Sequence, residues 1–320
     1  NTYDVTPQRQ KENAIGVILG NGRFYTMRQN YKPYKIPTFG YPKLRLNLIV
    51  EYTDGSRQTI ASDISWKLTT EGPIRSNNEY DGEEYDARKE LGDWNRTGYD
   101  DTNWIPAGRV SIPSGTLRAQ MMPGMKVTES LKPVSIRKQG DKHILDIGQN
   151  MAGWLRIRIK GQAGDSIRLR FAERLQADGE IFTKNLRDAH CTDIYVVSGR
   201  EPQDATWAPR FVYHGFRYVE ISGYPNAKTE DFTAEVVDDE MAHTGTFTCS
   251  DETLNQVLRN AFWGIRSPST ARNATNANLG WETTRWVPGV KASFSTIMPY
   301  TTNGHVIFVK HSVRTAASRM

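Results

Sequence analysis

The sequence predicts a mainly β protein: two antiparallel β-sandwiches in series, then one helix that opens a helical domain. Three observations predict it. Apolar and polar residues alternate along many short segments before residue 240. Turn signals such as Asp54-Gly55 separate those segments. At Ser250 the side-chain period changes from two to about 3.6.

The elements follow in order. Leu44, Leu46, Leu48, Val50 and Tyr52 alternate with outward positions and read as a strand ending in the Asp54-Gly55 turn. Near 119–125 the pattern breaks into AQMMPGM, a seam between two sandwiches. Leu155, Ile157 and Ile159 then alternate with Arg156, Arg158 and Lys160, giving one core face and one wet face. Gly161 to Asp165 turns the chain, and Ile167, Leu169 and Phe171 repeat the period. From 250, Ser250 is a candidate cap, and Asp251 and Glu252 sit where the helix dipole favours anions. Leu254, Val257, Leu258, Ala261, Phe262 and Ile265 fall on one helical stripe.

Composition excludes several classes. No apolar run is long enough for a transmembrane helix, so no membrane partner is expected. Cys191 and Cys249 are too few for a disulfide framework and are expected as separate thiols. The net charge of +5 comes entirely from residues 268–320, which hold six bases and one acid. Residues 1–267 are therefore balanced, without a basic stripe for nucleic acid. His190 and His214 lack metal-ligand spacing with the cysteines, so no zinc site is expected. No nucleophile elbow, P-loop or dinucleotide fingerprint occurs.

Four long motifs stand in series between Asp146 and Gly223: DIGQNMAGWLRIRIKG, FAERLQADGEIF, NLRDAHCTDIYVVSG and PRFVYHGFRYVEISG. With the opening TYDVTPQRQKENAIGVILGNGRFY, and with YDGEEYDAR and DWNRTGYDDTNW, they resemble the bacterial α-L-rhamnosidases, glycoside hydrolase family 78. The resemblance implies a galactose-binding-like jelly roll over 1–122, entered partway through, and a concanavalin-like sandwich over 123–240. It implies the opening helix of an (α/α)6 catalytic barrel over 241–267, from MAHTGTFTCSDETLNQVLRNAFWGIRS. It further implies an inverting acid/base hydrolase that releases terminal α-L-rhamnose from rhamnose-containing glycans or glycosides. Such chemistry needs no cofactor. Relatives are often exported to the periplasm or beyond; this chain begins at Asn1, partway into the family's first sandwich, so its start leaves localisation open.

In that family the barrel soon reaches a segment close to PxDCPQRDERLGWxGD, which carries the general acid. Residues 268–320 hold no such segment. They are rich in Thr, Asn, Ala and Trp and lack a sustained period. Each printed codon's first two bases, preceded by the third base of the codon before, permit a contiguous DCPQRDER from Ser269 onward. The same frame continues into a helix-like LYNKWARDIREAQ. A one-base frameshift at about 266–268 accounts for the missing acids, the lost period and the absent motif together. A sequence selected in one frame has no selected core pattern in another, so 268–320 is expected to pack poorly. The catalytic residues expected in this chain are therefore none. The alternatives are a non-catalytic carbohydrate-binding module and purely structural accessory domains.

Asp81, Glu83, Glu84 and Asp86 form the densest acid cluster. On a loop, hard carboxylate oxygens suit Ca²⁺, and some relatives bind rhamnose with calcium in this sandwich; Asp81, Glu84 and Asp86 are the candidate calcium ligands. On a strand, alternation would split the acids between faces. Trp94, Tyr99 and Trp104 could stack on a pyranose ring or serve as sandwich aromatics. The candidate sugar-binding set is Asp81, Glu83, Glu84, Trp94 and Trp104. Asp146, Gln149, Asn150 and Trp154 read as structural polar groups around Gly148 and Gly153, and Glu173 and Arg187 as a structural pair.

Overall fold

The computed structural model describes residues 3–8, 10–21, 41–78, 80–111, 124–187, 189–239, 244–266, 296–298 and 306–314. These residues are mainly β with one α-helix. The chain divides into two units, residues 1–75, 89–120 and 281–320 against residues 76–88 and 121–280. Two segments thus lie apart from their sequence neighbours. Residues 76–88 join the second unit, and the end of the chain joins the first, so the expected ranges 1–122 and 268–320 are not self-contained.

In the first unit the expected alternation is present. Leu44, Leu46, Leu48 and Val50 are buried, and Ile49 between them is exposed. The strands Asn47–Glu51 and Arg57–Ala61 pair antiparallel across the Asp54-Gly55 turn. There Asp54 Oδ1 accepts the Ser56 amide at 2.8 Å, and Gly55 takes a φ of 82°. A four-stranded sheet runs in the order Glu12–Leu19, Ile307–Arg314, Lys67–Thr69, Ile105–Pro106. Its apolar side chains meet in one cluster that includes Ile15, Val17, Leu46, Trp66, Leu68, Ile307, Val309 and Val313.

That sheet corrects the expectation for the tail. At 306–313 the chain is neither disordered nor poorly packed: Val306, Ile307, Phe308, Val309 and Lys310 are all at most 2% exposed. The reason is physical. A strand covered on both faces needs a short run of β-forming apolar residues, not a period. Val306-Ile307-Phe308-Val309 is such a run, and a sequence without a selected pattern can contain one by chance.

The second unit is built on a ten-stranded sheet. Its longest strand, Lys142–Arg158, pairs with His214–Ser222 along its first part and with Phe232–Asp239 along its last. A register shift between Asp146 and Met151 lets one strand serve both partners. Gly153 lies where the backbones close up: a Cβ there would overlap the Glu235 carbonyl. Leu155, Ile157, Ile167, Leu169, Phe171, Phe216, Val219 and Ile221 are fully buried. Each such side chain contributes about 1.5–3 kcal/mol of burial free energy. The wet face carries ion pairs, Arg156 to Glu235 at 2.7 Å and Lys160 to Asp231 at 2.6 Å.

The helix spans Glu252–Arg266. Asp251, not Ser250, caps it: Asp251 Oδ1 accepts the Thr253 amide at 2.8 Å and the Leu254 amide at 3.3 Å. No residue of the helix is buried, and Leu254, Val257, Leu258, Phe262 and Ile265 are exposed. Arg266 holds its far end, with Nε 2.8 Å from Asp238 Oδ2 and Nη1 2.7 Å from Glu129 Oε2.

Replacing Gly153 by Ala should cost about 1–3 kcal/mol through overpacking. Urea unfolding of the second unit measures it, and a change within a few tenths of a kcal/mol contradicts the close approach assigned to that residue.

Candidate functional site

Glu83, Glu84 and Asp86 lie on a strand, Gly82–Asp86, which pairs parallel with Thr192–Val196, and Asp81 lies in the turn just before it. Alternation therefore separates them. Glu83 points inward and is 1% exposed, whereas Glu84 is exposed. Asp86 forms a two-pronged pair with Arg88, Nε to Oδ1 at 2.8 Å and Nη2 to Oδ2 at 2.9 Å. Asp81 Oδ1 accepts the His190 amide at 3.1 Å. The expected calcium trio Asp81, Glu84 and Asp86 does not converge, because two of the three are committed to other partners and the third faces solvent. Among the described residues, no group of three or more His, Cys, Asp or Glu side chains is placed to hold a metal ion.

Trp94 and Trp104 belong to the first unit. Their rings stack on each other at 5.9 Å, and Trp94 meets Phe308 edge-on at 5.3 Å. Tyr99 packs edge-on to Trp104 at 5.9 Å, and Trp104 is 8% exposed. Gly16 is required beside them, since a side chain there would overlap the Trp94 ring. A pyranose stacks on a free ring face; one face of Trp94 and one of Trp104 lie against each other, and Trp94 is half-buried.

Inside the second unit, Glu83 heads a polar network that the sequence did not reveal. The Arg210 and Phe211 amides donate to its carboxyl at 3.1 Å each. Its own amide donates to Asp193 Oδ1 at 3.0 Å. Asp193 Oδ1 also meets His214 Nε2 at 3.0 Å, and His214 Nδ1 lies 3.3 Å from Cys191 Sγ. Phe171 stacks on the imidazole at 4.1 Å. Asp193 lies on the strand Thr192–Val196 and Cys191 just before it, with a φ of 47°, while His214 arrives from another strand. No spacing in the chain announces that meeting.

Burial, with Asp193 beside it, raises Glu83 to about 8 against the pull of the Arg210 and Phe211 amides. Burial alone would lower His214, but Asp193 and the Cys191 sulfur outweigh it and raise the imidazole to about 10. A cysteine, a histidine and an aspartate in line have the order of a nucleophilic triad, but here the histidine and the aspartate are both at most 3% exposed, away from any solvent-borne substrate.

The exposed polar groups of the long motifs gather at the bulge of the Lys142–Arg158 strand. Asp146 receives Arg217 through Nε at 2.8 Å and Nη2 at 3.0 Å, and the Gly148 amide at 2.7 Å. Burial would raise Asp146, but the Arg217 hydrogen bonds and the Gly148 amide hold it below the ordinary carboxylate range. Glu173 accepts the side-chain amides of Asn150 at 3.1 Å and Asn185 at 3.4 Å. Gln149 donates to the Asn150 carbonyl at 2.8 Å, and Trp154 Nε1 donates to Glu235 at 2.6 Å. The cluster can hydrogen-bond hydroxyl groups. Within it Asp146 is held by Arg217 and the Gly148 amide, and Glu173 is exposed.

Two family models match the chain, the α-L-rhamnosidase N-terminal domain over residues 1–129 and the bacterial α-L-rhamnosidase concanavalin-like domain over residues 136–238. An α-L-rhamnosidase of Streptomyces avermitilis is 37% identical over 297 residues, covering 88% of this chain and 28% of the relative. The solved α-L-rhamnosidase of Dictyoglumus thermophilum superposes with a TM-score of 0.71 at 38% identity, covering 78% of this chain and 27% of that one. The Streptomyces avermitilis enzyme complexed with L-rhamnose gives a TM-score of 0.66 at 37% identity, over 69% of this chain and 22% of that one. The chain thus spans under a third of the length of these relatives.

Both raised groups make the second unit sensitive to alkali. Glu83 and His214 hold their protons more tightly folded than at their ordinary values near 4.5 and 6.5. The stability they confer is complete below those values and is lost as pH rises through about 8 and about 10. The melting temperature should fall by on the order of 5 °C from pH 6 to pH 9.5. A Glu83→Gln variant should flatten the part of that decline below pH 8, and an unaltered slope in the variant contradicts the assignment.

Proposed function

Because this chain belongs to the bacterial α-L-rhamnosidase family, of which it carries the amino-terminal portion, we propose that its sandwiches serve an enzyme releasing terminal α-L-rhamnose from glycans or glycosides. We also propose that this 320-residue chain does not itself cleave the bond. Inverting hydrolysis needs one carboxyl to protonate the leaving oxygen and a second to activate water, about 6.5–9.5 Å apart. The observation that carries the reading is the state of the carboxyls. Glu83 carries the proton an acid needs, but it is 1% exposed and both its oxygens are taken by backbone amides. Asp146 is reachable but tied to Arg217. The family's DCPQRDER segment, which would bring the acid, is absent from the printed frame.

The sandwiches then act as bracing. Their aromatic faces and acids are engaged internally, so the role expected of them is shape and packing, with rhamnose contacts made elsewhere in the whole enzyme. Calcium enters only as a test of the alternative, through the acids of 81–86.

The purified chain should release no aryl group from an aryl α-L-rhamnoside above a mock preparation. Hydrolysis that tracks the chain through purification overturns the reading. Calorimetry with L-rhamnose, with and without calcium, should give no saturable heat; a saturable signal that requires calcium would establish the binding-module alternative.

A further inference from the structure

The strands Glu12–Leu19 and Lys67–Thr69 are not neighbours in their sheet, because Ile307–Arg314 lies between them. It pairs with the first along its whole length, from Glu12↔Arg314 to Leu19↔Ile307. It pairs with the second through Phe308, Val309 and Lys310. The inserted strand alone carries the sheet hydrogen bonding between these two.

Both faces of the insert are read by side chains. On one, Ile307, Val309 and Val313 enter the apolar cluster of Ile15, Val17, Leu46 and Leu68. His311 on that face stacks on Trp66 at 5.2 Å with the rings 9° from parallel. On the other, Phe308 meets Trp94 edge-on and fills the space left by Gly72, where a side chain would overlap its ring. Two residues on, Lys310 is 1% exposed with its ammonium 4.8 Å from the Tyr99 ring centre. That ammonium donates to the Tyr99 carbonyl at 3.3 Å and lies 3.7 Å from Asp101 Oδ2. A buried ammonium is tolerated only where such partners replace water. The cleft therefore distinguishes an aromatic residue followed two positions later by a cation from a merely apolar strand.

We propose that the cleft between Glu12–Leu19 and Lys67–Thr69 is a binding site for an extended peptide, and that the strand Val306–Arg314 is a ligand it accepts in trans as well as in cis. Main-chain pairing on both sides supplies affinity, and the Phe308 and Lys310 pockets supply selectivity. The partner chemistry is an antiparallel strand with apolar residues on one face and an aromatic–cation pair on the other.

Two measurements on the full chain test this. In an Ala14→Cys, Ser312→Cys variant, register partners in the pairing, mild oxidation should link residues 14 and 312 within one chain. A link between chains reports the strand accepted in trans, and peptide mapping that finds the two thiols unlinked both within and between chains overturns the proposal. In a Val309→Pro variant the resident strand loses a ladder N–H and should leave the cleft. A fluorescent peptide of residues 304–316 should then bind this variant at least ten-fold more tightly than the unaltered chain, and a Phe308→Asp peptide at least ten-fold more weakly than its parent. Equal binding to both chains, or to neither, overturns it. If the proline variant unfolds the first unit, refolding with the peptide should restore its near-ultraviolet tryptophan signal, and failure to do so at saturating peptide counts against the proposal.

Discussion

Successive side chains on a strand point to opposite faces, and most of what this molecule can and cannot do follows from that two-residue period. It puts Leu155 and Ile157 in the core and sends Arg156 out to Glu235. It also divides a run of acids that looks, in one dimension, like a cation site. Glu83 is driven into the interior, where it requires hydrogen bonds and a proton, while Glu84 is left in water. The buried network of Glu83, Asp193, His214 and Cys191 is the answer to that demand: Glu83, Asp193 and His214 come from three strands, and Cys191 from the turn just before one of them.

The fold was largely legible in the sequence because alternation is a local signal. The Leu44–Val50 pattern, the Asp54-Gly55 turn and the core positions of Ile167, Leu169 and Phe171 all stand where the period places them. The helix was legible as a stripe, and only its cap moved, from Ser250 to the equally suitable Asp251. The candidate site was less legible. Treating 81–86 as a loop predicted convergence, and its strand conformation precludes it. The meeting of Cys191 with His214, and of Lys310 with Tyr99, joins residues distant in the chain through the tertiary fold. Such contacts leave no mark on local spacing. Val306 to Val309 did leave one, a short apolar β-branched and aromatic run, but a strand covered on both faces shows no alternation by which to recognise it.

The end of the chain joins two facts that look opposed. Its composition is that expected of a sequence read in a neighbouring frame, yet residues 306–313 complete a core. Folding makes unequal demands on different elements. An eight-residue central strand requires little beyond apolar bulk and β-propensity, with Lys310 rescued by Tyr99 and Asp101. A catalytic barrel requires many helices in register and two carboxyls at a fixed separation. The helix Glu252–Arg266 illustrates the difference. It is capped and clamped at its ends, but its apolar stripe remains uncovered among the described residues.

The central claim is that the acid-bearing segment is encoded beside residues 268–320 and not within them. The nucleotide sequence across codons 260–275 and downstream addresses it most directly. The account predicts a one-base shift near codon 267, after which the adjoining frame reads DCPQRDER and continues open. A wobble pattern that cannot spell that motif, or an adjoining frame closed by stop codons soon after it, would contradict the account.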